Sequence, residues 1–141
     1  MLGSDLVLRG VSLVSKLDPG LPVVEGHGVQ LRQVLLNLVI NACDAMADLP
    51  GERRQVTVES RRMADEVEVS ITDRGPGFSK EMLQHVFEPF RTTKAKGLGL
   101  GLTICRSIVS MHGGRLVVAN NQDVGATVKF TLPTKKGTEY E

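Results

Sequence analysis

The sequence of 141 residues predicts a two-layer sandwich of the α/β (α+β) class, in which a mixed, largely antiparallel sheet carries helices on one face. Antiparallel strands are expected because alternating apolar segments come in neighbouring pairs, and a short polar turn separates the members of each pair. The helices are expected on one face because two long segments have apolar residues at helical spacing along one side. The chain is therefore predicted to form one domain over residues 1–134.

The first long helix is predicted from Gln30 to Ala47, and Pro50 with Gly51 ends it. One side of this helix is apolar and the other is polar. The apolar residues recur at intervals of three and four, which is the period of a helix: Leu31, Val34, Leu35, Leu38, Ala42 and Ala45.

A second long helix is predicted to begin near Gly99 and to end at Gly113 and Gly114, where a left-handed cap is expected. Its apolar face is formed by Leu102, Cys105, Ile108, Val109 and Met111. A short helix is expected after Ser79, because a serine hydroxyl can accept a hydrogen bond from the first turn of a helix.

Four strands are predicted. "QVTVES" and "EVEVSITD" alternate between apolar and polar residues, and a polar turn at Ala64 and Asp65 joins them. "RLVVAN" and "ATVKFTLP" form a second hairpin around Asn121 to Gly125, which Pro133 closes. The tail over residues 135–141 is predicted to be disordered.

Composition excludes several classes of protein. Lys and Arg number 17 against 16 Asp and Glu, and a net charge of +1 provides no general attraction for nucleic acid or an anionic membrane. No apolar run approaches the roughly 18 residues of a membrane span. Cys43 and Cys105 lack the spacing of metal ligands and are interpreted as reduced core residues of a cytoplasmic protein. Because the net charge is close to zero, any phosphate would have to be bound by a local group of residues rather than attracted by the overall charge of the protein.

The stretch "KGLGLGLTICRSIVSMHGG" places Gly97, Gly99 and Gly101 directly before the second long helix. These glycines lack the Gly-Lys-Ser/Thr ending of a P-loop and the spacing of a dinucleotide fingerprint. They allow a ligand to approach the backbone closely, beside a helix N-terminus whose free N–H groups attract an anion. The segment indicates a phosphate site, although glycines that only form a tight turn are an alternative.

The polar face of the first long helix carries two asparagines one turn apart, Asn37 and Asn41, between Gln33 and Asp44. Lys and Glu favour a helix more than Asn does, so the two amides indicate a function. An amide oxygen is a suitable ligand for Mg²⁺, which few protein oxygens hold together with waters and nucleotide phosphates. The alternative is a polar face that is merely hydrogen-bonded.

A third signal is "ITDRGPGFS", in which an apolar strand ends at Asp73 and the chain turns through Gly75 and Gly77. A carboxylate fixed at a strand end can accept a hydrogen bond from the exocyclic amine of adenine, and glycines let the base lie against the backbone. Taken alone, the segment is also compatible with an ordinary Asp-Gly turn.

Four segments in order, "QVLLNLVINACDAM", "DRGPGF", "VFEPFRTTKAKGLGLGL" and "GATVKFTLP", resemble the conserved boxes of the catalytic ATP-binding domain of sensor histidine kinases. The residues "FEPFRTTK" followed by "GLGLGL" are most similar to the nitrogen- and oxygen-sensing branch of that family. The resemblance covers almost the whole chain and implies a Bergerat ATP-binding fold with a lid over the nucleotide. It also implies ATP and Mg²⁺ as cofactors.

Residue by residue, the resemblance assigns Asn41 to Mg²⁺ and Asn37 to the phosphates. Asp73 matches the carboxylate that reads adenine, with Gly75 and Gly77 beside it. Thr127 is expected on the adenine side. Arg91 and Lys94 are candidates to reach the phosphates, and Phe87 and Phe90 would hold the root of the lid. The lid hinge and the phosphate-facing helix start would be formed by Gly97, Leu98, Gly99, Leu100 and Gly101.

The residue at position 37 separates the functions that the resemblance allows. Related ATP hydrolases place a glutamate there as general base, whereas Asn37 cannot take a proton from water at neutral pH. The expected activity is therefore transfer of the γ-phosphoryl group to a histidine on a separate dimerisation domain, for relay to a response-regulator aspartate. Two alternatives are a nucleotide-binding scaffold without transfer activity and a serine kinase of the anti-sigma type. Whether the whole protein is membrane-anchored stays open.

Overall fold

The computed structural model describes residues 10–17, 28–85 and 101–134. It contains five strands and three α-helices in these ranges, with one 3₁₀ turn at Gly51–Arg53. In chain order the elements are β1 Ser12–Leu17, α1 Gly28–Ala45, β2 Gln55–Met63, β3 Glu66–Thr72, α2 Lys80–His85, α3 Gly101–Met111, β4 Arg115–Asn120 and β5 Ala126–Pro133.

The five strands form one sheet in the order β1-β2-β3-β5-β4. β1 pairs with β2 in parallel, and the other three pairings are antiparallel. The predicted mixed, largely antiparallel sheet is therefore confirmed. β5 comes last among these strands in sequence and yet lies between β3 and β4, so both of its edges are hydrogen-bonded.

Helices α1 and α3 cover one face of the sheet. Alternate residues of the strands point toward them, as the pairs Ile71 with Val128 and Leu116 with Phe130 show. The core also includes Val34, Leu38, Val39, Ala42, Cys43 and Met46 from α1 and its end, and Cys105 and Val109 from α3. The predicted apolar side of α1 and most of that of α3 are thus confirmed as the sides that form the core. Met111 is the exception: it is 72% exposed, because it lies two residues beyond the buried Val109 and therefore on another side of the helix.

The other face of the sheet carries polar and charged side chains. Arg61 and Glu68 form an ion pair there at 2.9 Å. A shallow depression of about 270 Å³ on this face is lined by polar residues that include Ser70, Thr72 and Lys129. A sheet that buries one face and solvates the other is the two-layer arrangement predicted from the alternating pattern.

Strand β1 was not predicted from the sequence. It has only two adjacent apolar residues before Lys16, Leu13 and Val14, so period-two alternation is absent. Its partner β2 lies beyond α1 in sequence, and such a parallel pairing depends on a crossover that local pattern does not reveal. The strand is at the edge of the sheet, where weak patterning is tolerated.

Helix α1 ends at Ala45, two residues before the predicted end. The chain tightens there, with the Ala47 N–H donating to the Asp44 carbonyl at 3.2 Å. Arg54 then stabilises this turn, since its guanidinium donates to the carbonyl groups of Leu49 at 2.9 Å and Ala47 at 3.0 Å. The guanidinium thus supplies donors to two carbonyl groups of the turn that follows the helix.

The predicted caps of the other helices are confirmed. Gly113 has a φ of 79°, and its N–H donates to the Ser110 carbonyl at 3.0 Å. The N–H of Gly114 reaches the Val109 carbonyl at 2.9 Å, which completes a Schellman motif at the end of α3. At the start of α2, the Ser79 Oγ accepts a hydrogen bond from the Met82 N–H at 3.1 Å.

No helix within the described ranges is long and apolar enough to span a bilayer.

Candidate ATP-binding site

The Asp73 carboxylate lies directly after β3, at the point where the chain leaves the sheet. Its Oδ1 accepts hydrogen bonds from the N–H groups of Gly75 at 2.8 Å and Ala126 at 3.3 Å. The Asp73 N–H donates to the Ala126 carbonyl at 3.0 Å, and only 8% of the residue is exposed. Backbone donors thus hold the carboxylate in one orientation, which recognition of a single amino group requires.

The loop that follows, residues 73–79, packs closely on the end of α1. A Cβ atom on Gly75 would lie 2.7 Å from the Ala45 carbonyl oxygen, so only glycine fits there without displacement. The Arg74 N–H donates to the Met46 sulfur at 3.3 Å. These contacts place the Asp73 loop beside the helix that carries the two asparagines.

The other predicted glycine of this loop, Gly77, has a φ of 80°, a left-handed conformation that side chains rarely adopt. Gly125 has a φ of 85°, and its Cβ position would lie 2.0 Å from the Asp73 carbonyl oxygen. The backbone therefore approaches Asp73 closely from β5 as well. Sequence reasoning placed Gly125 in the turn of the second hairpin but did not predict its contact with Asp73.

Asn37 and Asn41 are half-buried on α1, one turn apart. The Asn37 Oδ1 accepts a hydrogen bond from the Gln33 Nε2 at 3.1 Å. The Asn37 side chain also lies near the Cys105 thiol of α3, which donates to the Val34 carbonyl at 3.8 Å. The amide of Asn37 is therefore oriented by Gln33. Part of the polar face is hydrogen-bonded internally, as the alternative interpretation of this helix expected.

The described residues contain no group of three or more His, Cys, Asp and Glu side chains that could hold a metal ion by themselves. The polar face of α1 offers the amide oxygens of Asn37 and Asn41 to a cation, and waters and ligand phosphates could supply its other ligands. This donor set fits Mg²⁺, which retains several waters and binds nucleotide phosphates.

The structure does not bring Thr127 together with Asp73. Thr127 pairs with Thr72, and their hydroxyl oxygens lie 3.1 Å apart on the open face of the sheet. The Thr127 hydroxyl donates to the Asn121 Oδ1 at 2.6 Å. Since side chains alternate along a strand, the preceding residue Ala126 is the one that faces Asp73, through its N–H group. The adenine-side role of Thr127 stays a prediction.

The remaining predicted residues concern the lid. Gly101 is the first residue of α3. The others lie outside the residues that the structure describes: Phe87, Phe90, Arg91, Lys94, Gly97, Leu98, Gly99 and Leu100.

Burial raises the pKa of the Cys105 thiol above its ordinary value of 9.0, and the hydrogen bond with Asn37 opposes that shift. Because the folded protein holds this proton to a higher pH than the unfolded chain, the associated stability is complete below about pH 9 and is lost as pH rises through the folded pKa. The thiol is therefore neutral at pH 7.

Cys105→Val is expected to flatten the decline of unfolding free energy between pH 9 and 10. One proton accounts for at most about 1.4 kcal/mol per pH unit. Urea unfolding of wild type and variant at pH 7.5, 9 and 10 measures the effect. Cys43 is buried too and unchanged in both proteins, so it cancels in the comparison. Identical pH dependence in the two proteins would contradict the assigned shift.

The sheet carries helices on one face, and the oriented Asp73 carboxylate lies in a glycine-containing loop beside the helix of Asn37 and Asn41. Together these features define an ATP-binding catalytic domain. The family model described as Histidine kinase-, DNA gyrase B-, and HSP90-like ATPase matches residues 26–136. The chain belongs to this family, and within it is a catalytic domain of the sensor histidine kinase type. The family predicted from the sequence, and ATP as its ligand class, are thereby confirmed.

Relatives and solved structures agree with this assignment. The chain is 44% identical over 126 residues to the sensor protein FixL of Bradyrhizobium diazoefficiens, covering 89% of this chain and 25% of that protein. It is 34% identical over 145 residues to the sensory histidine kinase/phosphatase NtrB of Rhizobium leguminosarum bv. phaseoli, covering 94% of this chain and 38% of the relative. The chain thus spans about a quarter to two fifths of these relatives.

The nucleotide-free catalytic domain of the histidine kinase ThkA superposes with a TM-score of 0.82 at 33% identity, covering 94% of this chain and 85% of the other. ThkA in complex with the response regulator protein TrrA gives a TM-score of 0.77 at 29% identity, covering 94% and 37% of the two chains. The predicted sandwich is therefore confirmed as the fold of histidine kinase catalytic domains.

Proposed function

We propose that this domain binds Mg²⁺-ATP and transfers the γ-phosphoryl group to a histidine on a helical dimerisation domain of the same protein, for relay to a response-regulator aspartate. The observation that supports transfer over hydrolysis is the surroundings of Asn37. Its amide contacts another amide, Gln33, and lies near the thiol of Cys105, which burial keeps protonated at neutral pH. None of these three groups can take a proton from water at pH 7.

Binding would use the geometry already described. The Asp73 carboxylate accepts a hydrogen bond from the adenine amino group, while Gly75 and Gly77 leave room for the base beside the backbone. The Asn41 amide oxygen is the proposed Mg²⁺ ligand, and Asn37 faces the phosphates. Mg²⁺ would neutralise charge on the phosphates, which is the main requirement of phosphoryl transfer. Arg91 and Lys94 are proposed to add positive charge from the lid.

The phosphoryl acceptor and the response regulator are proposed partners of the whole protein. The relatives are sensor kinases of which this chain spans a fraction, and ThkA was solved in complex with a response regulator. We propose a cytoplasmic location and residues 1–134 as the domain.

Calorimetric titration with ATP and Mg²⁺, followed by a free-phosphate assay on the same sample, tests the proposal. Micromolar to millimolar binding with negligible phosphate release is expected. Rapid phosphate release would place the domain among the hydrolases, and absent binding would favour a scaffold role. Transfer itself is tested by adding an acceptor domain from the whole protein and measuring labelled histidine.

Asn41→Ala is expected to weaken nucleotide affinity at least about tenfold in the presence of Mg²⁺ and to leave affinity in EDTA nearly unchanged, since it removes one oxygen ligand. Titrations with and without Mg²⁺ measure both values. Glu52→Ala is the matched control, because Glu52 is exposed in the 3₁₀ turn after α1. A Mg²⁺ dependence equal to that of wild type would remove Asn41 from the metal site.

A further inference from the structure

Asn120, the last residue of β4, forms two hydrogen bonds with the main chain of Phe78. The Phe78 N–H donates to the Asn120 Oδ1 at 2.8 Å, and the Asn120 Nδ2 donates to the Phe78 carbonyl at 2.8 Å. A side-chain amide has the same donor and acceptor as a peptide group, so this pair reproduces a strand-to-strand contact. We call it the Asn120 clamp.

The clamp fits a backbone shape that requires glycine. Gly77, the residue before Phe78, has a φ of 80°, and its Cβ position would lie 2.7 Å from the Asn120 Oδ1. The same position would lie 3.4 Å from the Gly125 carbonyl oxygen. A side chain at residue 77 would therefore push the loop away from Asn120. The glycine and the asparagine form one structural unit.

The clamp holds the far end of the Asp73 loop. The near end is fixed by hydrogen bonds between Asp73 and Ala126, and the middle by the contact of Arg74 with Met46. Asn120 is exposed, and yet both polar atoms of its amide are directed at the loop. Two hydrogen bonds at one residue fix both the position and the direction of the peptide that they hold.

We propose that Asn120 is a positioning residue of the ATP site. It orders the Gly77–Phe78 peptide before the nucleotide arrives, so that the path of the loop next to Asp73 is set in the free protein. Preorganisation of this kind lowers the entropy that binding would otherwise lose. The proposal extends the proposed function, because it assumes that the Asp73 loop receives a nucleotide.

Asn120→Ala tests the proposal through two independent measurements. Amide hydrogen exchange of Phe78 in the nucleotide-free protein should accelerate at least about tenfold, because its acceptor is lost. Affinity for ATP with Mg²⁺ should fall about three- to thirtyfold. Val117→Ala is the matched control, since Val117 is 53% exposed on the same strand. That variant should change neither quantity by more than about twofold.

Asn120→Asp provides a test with a readout that a general loss of stability would not produce. At pH 7.5 the carboxylate accepts from the Phe78 N–H but faces the Phe78 carbonyl, so affinity should fall as in Asn120→Ala. Protonation restores a donor, so the affinity relative to wild type should begin to recover as pH is lowered to about 4, where about half of an ordinary Asp side chain is protonated. A ratio that does not change with pH would count against the two-bond clamp.

The outcomes distinguish the Asn120 clamp as a structural feature from its role in nucleotide binding. Faster Phe78 exchange with unchanged ATP affinity would overturn the positioning role while leaving the clamp as a structural feature. Unchanged exchange would overturn the clamp itself. Wild-type protein that binds no ATP would contradict the proposed function and the positioning role together, and the exchange experiment would still report on the clamp.

Discussion

Asp73→Asn is expected to lower ATP affinity by about ten- to a hundredfold while the domain stays folded. A hydrogen bond to a charged group contributes about 1.5–3 kcal/mol, and the variant replaces a charged acceptor with a neutral amide. The amide can keep its oxygen toward the N–H groups of Gly75 and Ala126, so the local structure survives. The loss should therefore appear in binding rather than in stability.

Calorimetry with ATP measures the affinity, and thermal unfolding without nucleotide checks the fold. Asp123→Asn is the matched control, because Asp123 is exposed in the turn between β4 and β5 and lies outside the site. Equal affinities for wild type and Asp73→Asn would show that this carboxylate does not read the nucleotide. A large drop in the unfolding temperature would instead assign Asp73 a structural role.

Gly125→Ala is expected to reduce the free energy of unfolding by about 3 kcal/mol or more. A φ of 85° is left-handed, and this region costs a residue with a Cβ roughly 1–2 kcal/mol. The added Cβ would also lie 2.0 Å from the Asp73 carbonyl oxygen, and overpacking costs a further ~1–3 kcal/mol. Relaxation of the clash must displace either β5 or the Asp73 loop.

Urea unfolding measures the change, with Gly51→Ala as the control. A Cβ on Gly51 would meet no atom within 4 Å, so that variant should lie within about 0.5 kcal/mol of wild type. If both alanine variants were equally stable, the close packing of Gly125 on Asp73 would not exist in solution.

The local pattern of apolar, polar and glycine residues was sufficient to predict most of the fold. The hairpin of β2 and β3 follows from alternation on both sides of a two-residue turn, and Ala64 has a φ of 45° in that turn. The Schellman motif at Gly113 follows from two glycines after a helical period. Strand β1 could not be predicted in this way, because its pairing with β2 depends on residues that lie about forty positions later.

Candidate site residues could be proposed from the sequence where the type of residue determines the chemistry. They could not be proposed where the role of a residue depends on contacts between distant parts of the chain. Asp73 and the asparagines of α1 were selected by their type and spacing together with the resemblance, and their roles in binding stay predictions. The resemblance placed Thr127 on the adenine side, but it could not show that the N–H group which reaches Asp73 belongs to the neighbouring residue Ala126. Asn120 resembles an ordinary turn residue until its contact with Phe78, 42 positions away, is seen.

The position of β5 has a consequence for synthesis of the protein. This strand follows the helices and the other four strands in sequence, and it supplies both the inner partner of β3 and the N–H group that holds Asp73. A nascent chain that has not yet released β5 from the ribosome has an incomplete sheet and an unformed nucleotide loop. ATP can therefore be captured only after this strand has been translated, and products truncated before it would be unable to compete for nucleotide.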